Sequence, residues 1–184
     1  MLQALLDPRA VFAQMRRTLI MMMGKGKPNE LFLYNSDGLW QALWVNWICA
    51  ALIGLAPSAL LDLPGYILFI LTSVVASLLY ALLVFRILQR IEKPDVFLPF
   101  MVPYLWLNIM QVALFGLVLI ITQASGLMVL QYLYLPLAIW MLYWLIKIAR
   151  DQTGLGLLFA VGFLAGRVLV DIVLGWAASS NLIS

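Results

Sequence analysis

Two opposite charges inside a long apolar run, Arg167 and Asp171, are the residues of this chain with the clearest capacity for chemistry. They are four residues apart, so on an α-helix they share one face and can form an ion pair. A charged side chain at the centre of a bilayer costs on the order of 3 kcal/mol, so each of the two needs a partner or an aqueous path. Two interpretations stay open. The pair either fixes the packing of the last helix, or it binds a proton, an ion, a lipid headgroup or another subunit's charges.

Most residue types that support enzymatic chemistry are absent or isolated. The 184 residues contain no histidine and a single cysteine, Cys49, which excludes imidazole catalysis, an internal disulfide and a CxxC site. Apart from Asp171, the carboxylates are spread singly outside the apolar runs, and we find no glycine-rich phosphate loop or nucleophile elbow. We therefore expect a protein that is not an enzyme, with no metal and no cofactor.

Amides and glycines within the apolar runs are expected to join helices. Asn46, Asn108 and Gln111 can hydrogen-bond across helices, and each such bond contributes about 1 kcal/mol. Gly162 and Gly166 form a GxxxG motif, which allows another backbone to approach closely. We favour packing within one chain over self-association as the role of this motif.

The segment from Asp7 to Met23 predicts an amphipathic helix. Asp7 can cap its N-terminus, Pro8 suits the first helical position, and Gly24 can end it. At helical spacing one face is apolar, formed by Val11, Phe12, Met15, Leu19 and Met22. The basic residues that would meet lipid headgroups or a partner are Arg9, Arg16, Arg17, Lys25 and Lys27. Such a helix can lie in the membrane interface, with its arginines toward anionic headgroups. The alternative is that it packs under the bundle.

The composition is that of a membrane protein. Hydrophobic residues make up 65% of the chain, charged residues 10%, and the mean hydropathy is +1.05. A soluble domain is roughly half apolar and a quarter charged. Five apolar runs are each near the roughly 20 residues that cross about 30 Å of hydrocarbon. They are residues 39–60, 65–88, 96–121, 127–148 and 155–178.

We therefore predict an all-α integral membrane bundle of about five transmembrane helices, preceded by an amphipathic interfacial helix. Residues 1–37 would form the cytoplasmic or interfacial segment and residues 38–184 the transmembrane domain. The prolines Pro99, Pro103 and Pro136 are expected to bend or open the third and fourth spans.

The lysines and arginines predict the orientation, because cytoplasmic loops are enriched in them. All eleven except Arg167 fall in the N-terminal segment, the second connection or the fourth connection. This pattern places the N-terminus in the cytoplasm and the C-terminus in the periplasm. Small size and short loops favour a bacterial inner membrane. The net charge of +3 belongs to this topology and does not indicate nucleic-acid binding.

Several features recur together in one known family: Asp7-Pro8 with its short basic helix, the five close spans, the stretch from Trp144 to Ala149, and Thr153-Gly154. In these features the chain resembles the Yip-domain membrane proteins, which are related to the Ypt/Rab-interacting proteins of the eukaryotic secretory pathway and also occur in bacteria. The resemblance implies a non-enzymatic role in membrane organisation, trafficking or assembly with partners. The Asp-Leu-Tyr-Gly-Pro motif of the eukaryotic branch is missing, so Rab binding is not expected.

Two functional hypotheses follow. In the first, the protein is a scaffold or accessory factor whose basic cytoplasmic face binds anionic lipid headgroups or a partner protein, with a homo-oligomer also possible. In the second, it is a small transporter or channel subunit in which Arg167 and Asp171 line a polar pathway beside the proline kinks. The second predicts a hydrated cavity that reaches Asp171.

Overall fold

The structure, a computed structural model, describes residues 7–54 and 63–182. Every regular element in these two ranges is helical. The α-helices are α1 (Pro8–Met22), α2 (Pro28–Leu31), α3 (Ser36–Gly54), α4 (Leu63–Arg90), α5 (Phe97–Ser125), α6 (Tyr134–Thr153) and α7 (Gly156–Leu182). Short 3-10 helices at Pro94–Val96 and Met128–Leu133 precede α5 and α6.

The predicted class, an all-α membrane bundle, is confirmed. Among residues 7–54 and 63–182, four helical segments are long and apolar enough to cross a bilayer, where the sequence predicts about five spans: Leu63–Arg90, Pro94–Ser125, Met128–Thr153 and Gly156–Ala177. Helix α3 coincides with most of the first predicted span but is not among the four. Asp37, Gln41 and Asn46 lower its hydropathy. The remainder of that predicted span, residues 55–60, lies outside the described residues.

Helix α5 is the centre of the bundle. It packs against α1, α3 and α6, and α7 packs along α4 and α6. The N-terminal half of α5 is almost wholly inaccessible, with Phe100, Trp106 and Leu107 each 0% exposed. Helix α7 is peripheral, because only 11% of its most apolar window is buried inside the protein. The outward surface of the bundle is apolar, as hydrocarbon solvent requires.

The first helix begins and ends as the sequence predicts. The Asp7 carboxylate accepts a hydrogen bond from the Arg9 backbone N–H at 3.0 Å, and Pro8 occupies the first helical position. Gly24 follows the helix with φ 73°, in the left-handed region where glycine has no Cβ to clash.

The three prolines lie at different depths in their helices. Pro99 lies in the first turn of α5 and Pro136 in the first turn of α6, where the missing N–H has no intrahelical partner to lose. Pro103 lies in the interior of α5. Helix α6 starts at Tyr134 after a 3-10 turn. The expected bends stay a prediction, and Pro103 is the proline whose missing N–H removes a hydrogen bond inside a helix.

Aromatic contacts show which helix ends lie together. Phe85 near the end of α4 meets Phe97 at the start of α5, with ring centroids 5.3 Å apart. Phe100 stacks on Phe163 of α7 at 5.3 Å. The end of α4, the start of α5 and the start of α7 therefore share one end of the bundle, and the short α6–α7 turn brings the end of α6 there too. We call this the basic end, since its charged residues include Arg86, Arg90, Lys93, Lys147 and Arg150.

Candidate functional site

The predicted pair on α7 forms. The Arg167 Nε lies 3.0 Å from the Asp171 Oδ2 and donates a hydrogen bond to it. At 1.5 Å per residue, Arg167 lies about 17 Å and Asp171 about 22 Å along α7 from its first residue. Both charges are thus near the middle of α7, whose 27 residues extend about 40 Å. We call Arg167 and Asp171 the α7 ion pair.

Arg167 is also held by the neighbouring helix. Its guanidinium carbon lies 5.8 Å from the ring centroid of Tyr80 on α4, within the range of a cation–π contact. Tyr80 in turn lies 5.0 Å from Tyr104 of α5, measured between ring centroids. The two tyrosines are 1% and 3% exposed. The arginine is therefore neutralised along its own helix and packed against an aromatic pair that joins α4 to α5.

The two glycines of the GxxxG motif have different surroundings. A Cβ built on Gly166 would lie 3.2 Å from the Leu83 Cδ2 of α4, whereas one on Gly162 would meet nothing within 4 Å. Gly166 therefore allows the close approach of α7 to α4, one residue before the ion pair. Gly162 does not serve packing within the described part of the chain.

Asp171 lies at the edge between the packed and the outward faces of α7. Its side chain is 48% exposed, against 22% for Arg167. Val168 and Ile172, its neighbours on the outward side, are 56% and 62% exposed. The carboxylate is thus open to whatever borders α7, while the arginine points its charge toward the bundle.

The predicted amide contact also forms. The Asn108 Nδ2 of α5 donates a hydrogen bond to the Asn46 Oδ1 of α3 at 2.8 Å. One position later on α3, the Trp47 indole N–H donates to the Ser77 hydroxyl of α4 at 2.7 Å. These two bonds tie α3 to both of its neighbours. Gln111, the third predicted amide, is partly buried on α5.

Helix α1 packs against α5, which is the second of the two interpretations of this helix, but its outward face suits the first. The buried residues are Gln14, Thr18, Met21 and Met22. Of the predicted apolar face, Met22 is buried and Val11 and Met15 are partly buried, whereas Phe12 and Leu19 are 71% and 41% exposed. The packed face is thus turned from the predicted one. Two polar residues occupy it, and the Thr18 hydroxyl donates back to the Gln14 carbonyl oxygen at 2.9 Å.

Basic and apolar side chains alternate on the outward side of α1. At 3.6 residues per turn, five exposed residues fall within an arc of about 80° that points away from the buried residues. They are Arg9, Phe12, Arg16, Leu19 and Met23, which we call the outward stripe. Arg17, Lys25 and Lys27 are exposed as well, but outside the stripe.

Sequence reasoning missed the partners of these residues. Tyr80, Tyr104 and Ser77 carry no local signal, because their roles arise from contacts between helices. Within residues 7–54 and 63–182, no group of three or more histidine, cysteine, aspartate or glutamate side chains could hold a metal ion. Comparison of the chain with protein-family models, with curated proteins and with solved structures found no match.

Proposed function

We propose that this protein is a non-enzymatic accessory or membrane-organising factor of the Yip-like type, and that its basic cytoplasmic face, which includes helix α1, binds anionic lipid headgroups or a partner protein. Its place would be a bacterial inner membrane, with the N-terminus in the cytoplasm and the C-terminus in the periplasm. Support for this orientation comes from the basic residues, ten of which flank the spans on one side by sequence.

The outward stripe of α1 is the observation that carries the proposal. A helix packed only for stability would leave a polar face toward water. Here Phe12, Leu19 and Met23 remain 71%, 41% and 53% exposed on the same side of the helix as Arg9 and Arg16. An apolar surface interleaved with arginines suits the boundary between acyl chains and anionic headgroups.

The test compares adjacent arginines with the same substitution. Arg16 lies in the stripe and Arg17 outside it, and both are exposed. One basic residue close to an anionic surface contributes about 1 kcal/mol. We expect Arg16→Gln to weaken binding of phosphatidylglycerol to the purified full-length protein roughly fivefold. Arg17→Gln should change it less than about twofold. Native mass spectrometry with a lipid titration measures both.

Equal losses in the two variants would show only a general charge effect and would overturn the role of the stripe. Circular dichroism and thermal unfolding in detergent serve as the control. Since both side chains are exposed, neither substitution should alter the folded bundle.

A second candidate function, a small transporter or channel subunit, is favoured by one observation: the half-exposed Asp171 carboxylate at mid-span. In this hypothesis Asp171→Asn abolishes transport while insertion and folding stay normal. The α7 ion pair would then be a polar binding site on a transport pathway along the outer side of α7. Proton flux into proteoliposomes, with wild type and Asp171→Asn compared, decides the matter. An equal flux in both, at the level of empty vesicles, removes this candidate.

A further inference from the structure

A pocket lies at the basic end between the segment that follows α1 and the last turns of α6. Its volume is about 420 Å³, within the range of small-molecule sites. It is lined on one side by Gly24, Gly26, Lys27, Pro28 and Glu30, and on the other by Trp144, Lys147, Ile148 and Asp151. We call it the α1–α6 pocket. It is separate from the outward stripe, which points away from the bundle.

Three of the four charged residues that line the α1–α6 pocket have no ion-pair partner within the described part of the chain. Two lysines and two carboxylates line it. Lys147 and Asp151 are four apart on α6, a spacing at which opposite charges usually pair. Instead, Asp151 forms an ion pair with Arg150, in which the Arg150 Nη2 lies 2.8 Å from the Asp151 Oδ1. Within the described part of the chain, the structure shows no ion pair for Lys27, Lys147 or Glu30.

The Lys147 ammonium group is held in place by aromatic rings and not by a carboxylate. Its Nζ lies 4.5 Å from the centroid of the Trp144 ring and 5.8 Å from that of Tyr143. Cation–π contacts orient an ammonium group and leave its N–H donors and its charge available. The side chain is therefore held at the pocket with its charge free for a ligand.

We propose that the α1–α6 pocket binds a phosphoethanolamine group. The phosphate would accept from Lys27 and Lys147, and the primary ammonium would donate to Glu30. A purely anionic headgroup would leave the unpaired Glu30 carboxylate opposed to it. A choline headgroup carries no N–H to donate. One unpaired carboxylate beside two unpaired lysines thus selects a zwitterion with a primary amine.

This site goes beyond the proposed function, which concerns anionic headgroups at the outward stripe, and the two can fail separately. The probes are phosphatidylethanolamine, phosphatidylcholine and phosphatidylglycerol with identical acyl chains, each titrated into the full-length protein and followed by native mass spectrometry. We expect phosphatidylethanolamine to bind roughly tenfold more tightly than phosphatidylcholine, the effect of about one charge-assisted hydrogen bond. Equal affinities for these two lipids would overturn the proposal.

Single substitutions assign the preference to the pocket. Lys27→Gln should weaken phosphatidylethanolamine severalfold, whereas Lys25→Gln, an exposed lysine two residues away that does not line the pocket, should leave it unchanged. Glu30→Gln should reduce the preference for ethanolamine over choline. These residues are exposed, so the variants should fold. Equal effects of Lys25→Gln and Lys27→Gln would contradict the assignment.

The source of the group is distinguished by competition. Soluble glycerophosphoethanolamine that displaces the lipid at millimolar concentration shows that the headgroup alone is recognised and can come from water. Retained lipid under the same conditions identifies a membrane phospholipid as the ligand. Arg16→Gln should lower phosphatidylglycerol binding without changing the ethanolamine preference, which separates the failure of this site from that of the outward stripe.

Discussion

Arg167 and Arg16 lie in two regions of the molecule that treat charge in opposite ways. Near mid-span, Arg167 is paired with Asp171 at 3.0 Å and covered by the Tyr80 ring. At the first helix, Arg16 stays exposed beside apolar side chains that are exposed as well. In hydrocarbon the nearest compensation must come from the protein itself, whereas headgroups can supply it at the interface. The region around Arg167 therefore determines how the helices pack, and the region around Arg16 is where we expect ligands to bind.

The largest effect on stability is expected when one of the two mid-span charges loses its partner. Arg167→Leu strips Asp171 of its partner, and we expect a loss of about 3 kcal/mol in the free energy of unfolding. The double variant Arg167→Leu/Asp171→Leu should recover most of that loss, because well-packed apolar residues often replace a buried pair at little cost. Unfolding in mixed detergent micelles measures both. A double variant as unstable as the single one would show that the two side chains stabilise the fold by more than the mutual neutralisation of their charges.

Overpacking the α4–α7 contact should have the next largest effect. Gly166→Leu forces a side chain against Leu83, so we expect a loss of about 1–3 kcal/mol in unfolding free energy. Gly162→Leu is the matched control, since open space surrounds that glycine in the described structure. It should be neutral in the same unfolding assay. If Gly162→Leu alone is destabilising or disperses oligomers, the GxxxG motif serves self-association instead.

The amide contact between α3 and α5 should contribute less. Asn108→Leu and Asn46→Leu each remove one partner of the 2.8 Å hydrogen bond. In a double-mutant cycle we expect a coupling of about 1 kcal/mol, the usual value for such bonds in membranes. A coupling near zero would mean that the two amides find other partners when separated.

The last prediction concerns a tyrosine outside the spans, whose effect on stability is confined to high pH. Burial raises the pKa of Tyr34 to about 12 from its ordinary value of 10.0. Because the folded protein then holds this proton more tightly than the unfolded chain, the stability is fully present below pH 10 and falls as the pH rises from 10 to 12. Tyr34→Phe should remove that part of the decline in thermal unfolding scans. An identical decline in the variant would contradict the assignment.

The sequence predicts well whatever depends on composition or on neighbours along one helix. Long apolar runs predict the membrane class, and Asp7 and Gly24 predict the two ends of α1. The four-residue spacing of Arg167 and Asp171 predicts the α7 ion pair. It predicts poorly whatever depends on the neighbour across space. Gln14 and Thr18 face the bundle although they are polar, so the packed side of α1 could not be chosen by hydrophobicity alone.

The α1–α6 pocket shows the same limit more sharply. Its lining residues come from positions 24–30 and 144–151, and no local pattern relates the two stretches. In the sequence, Lys147 indicates only the orientation of the spans. Its place over the Trp144 ring, at a pocket that the segment after α1 completes, is seen only in the folded structure.

The central claim is that the outward stripe of α1 lies in the membrane interface. Spin labels attached through Phe12→Cys or Arg17→Cys, each in a Cys49→Ser background of the full-length protein, test it in nanodiscs that contain anionic lipid. We predict that the label at position 12 collides with oxygen, which concentrates in the acyl region, and is shielded from a water-soluble nickel chelate. The label at position 17 should show the reverse. Equal exposure of both labels to the nickel chelate would place α1 in water and contradict the account.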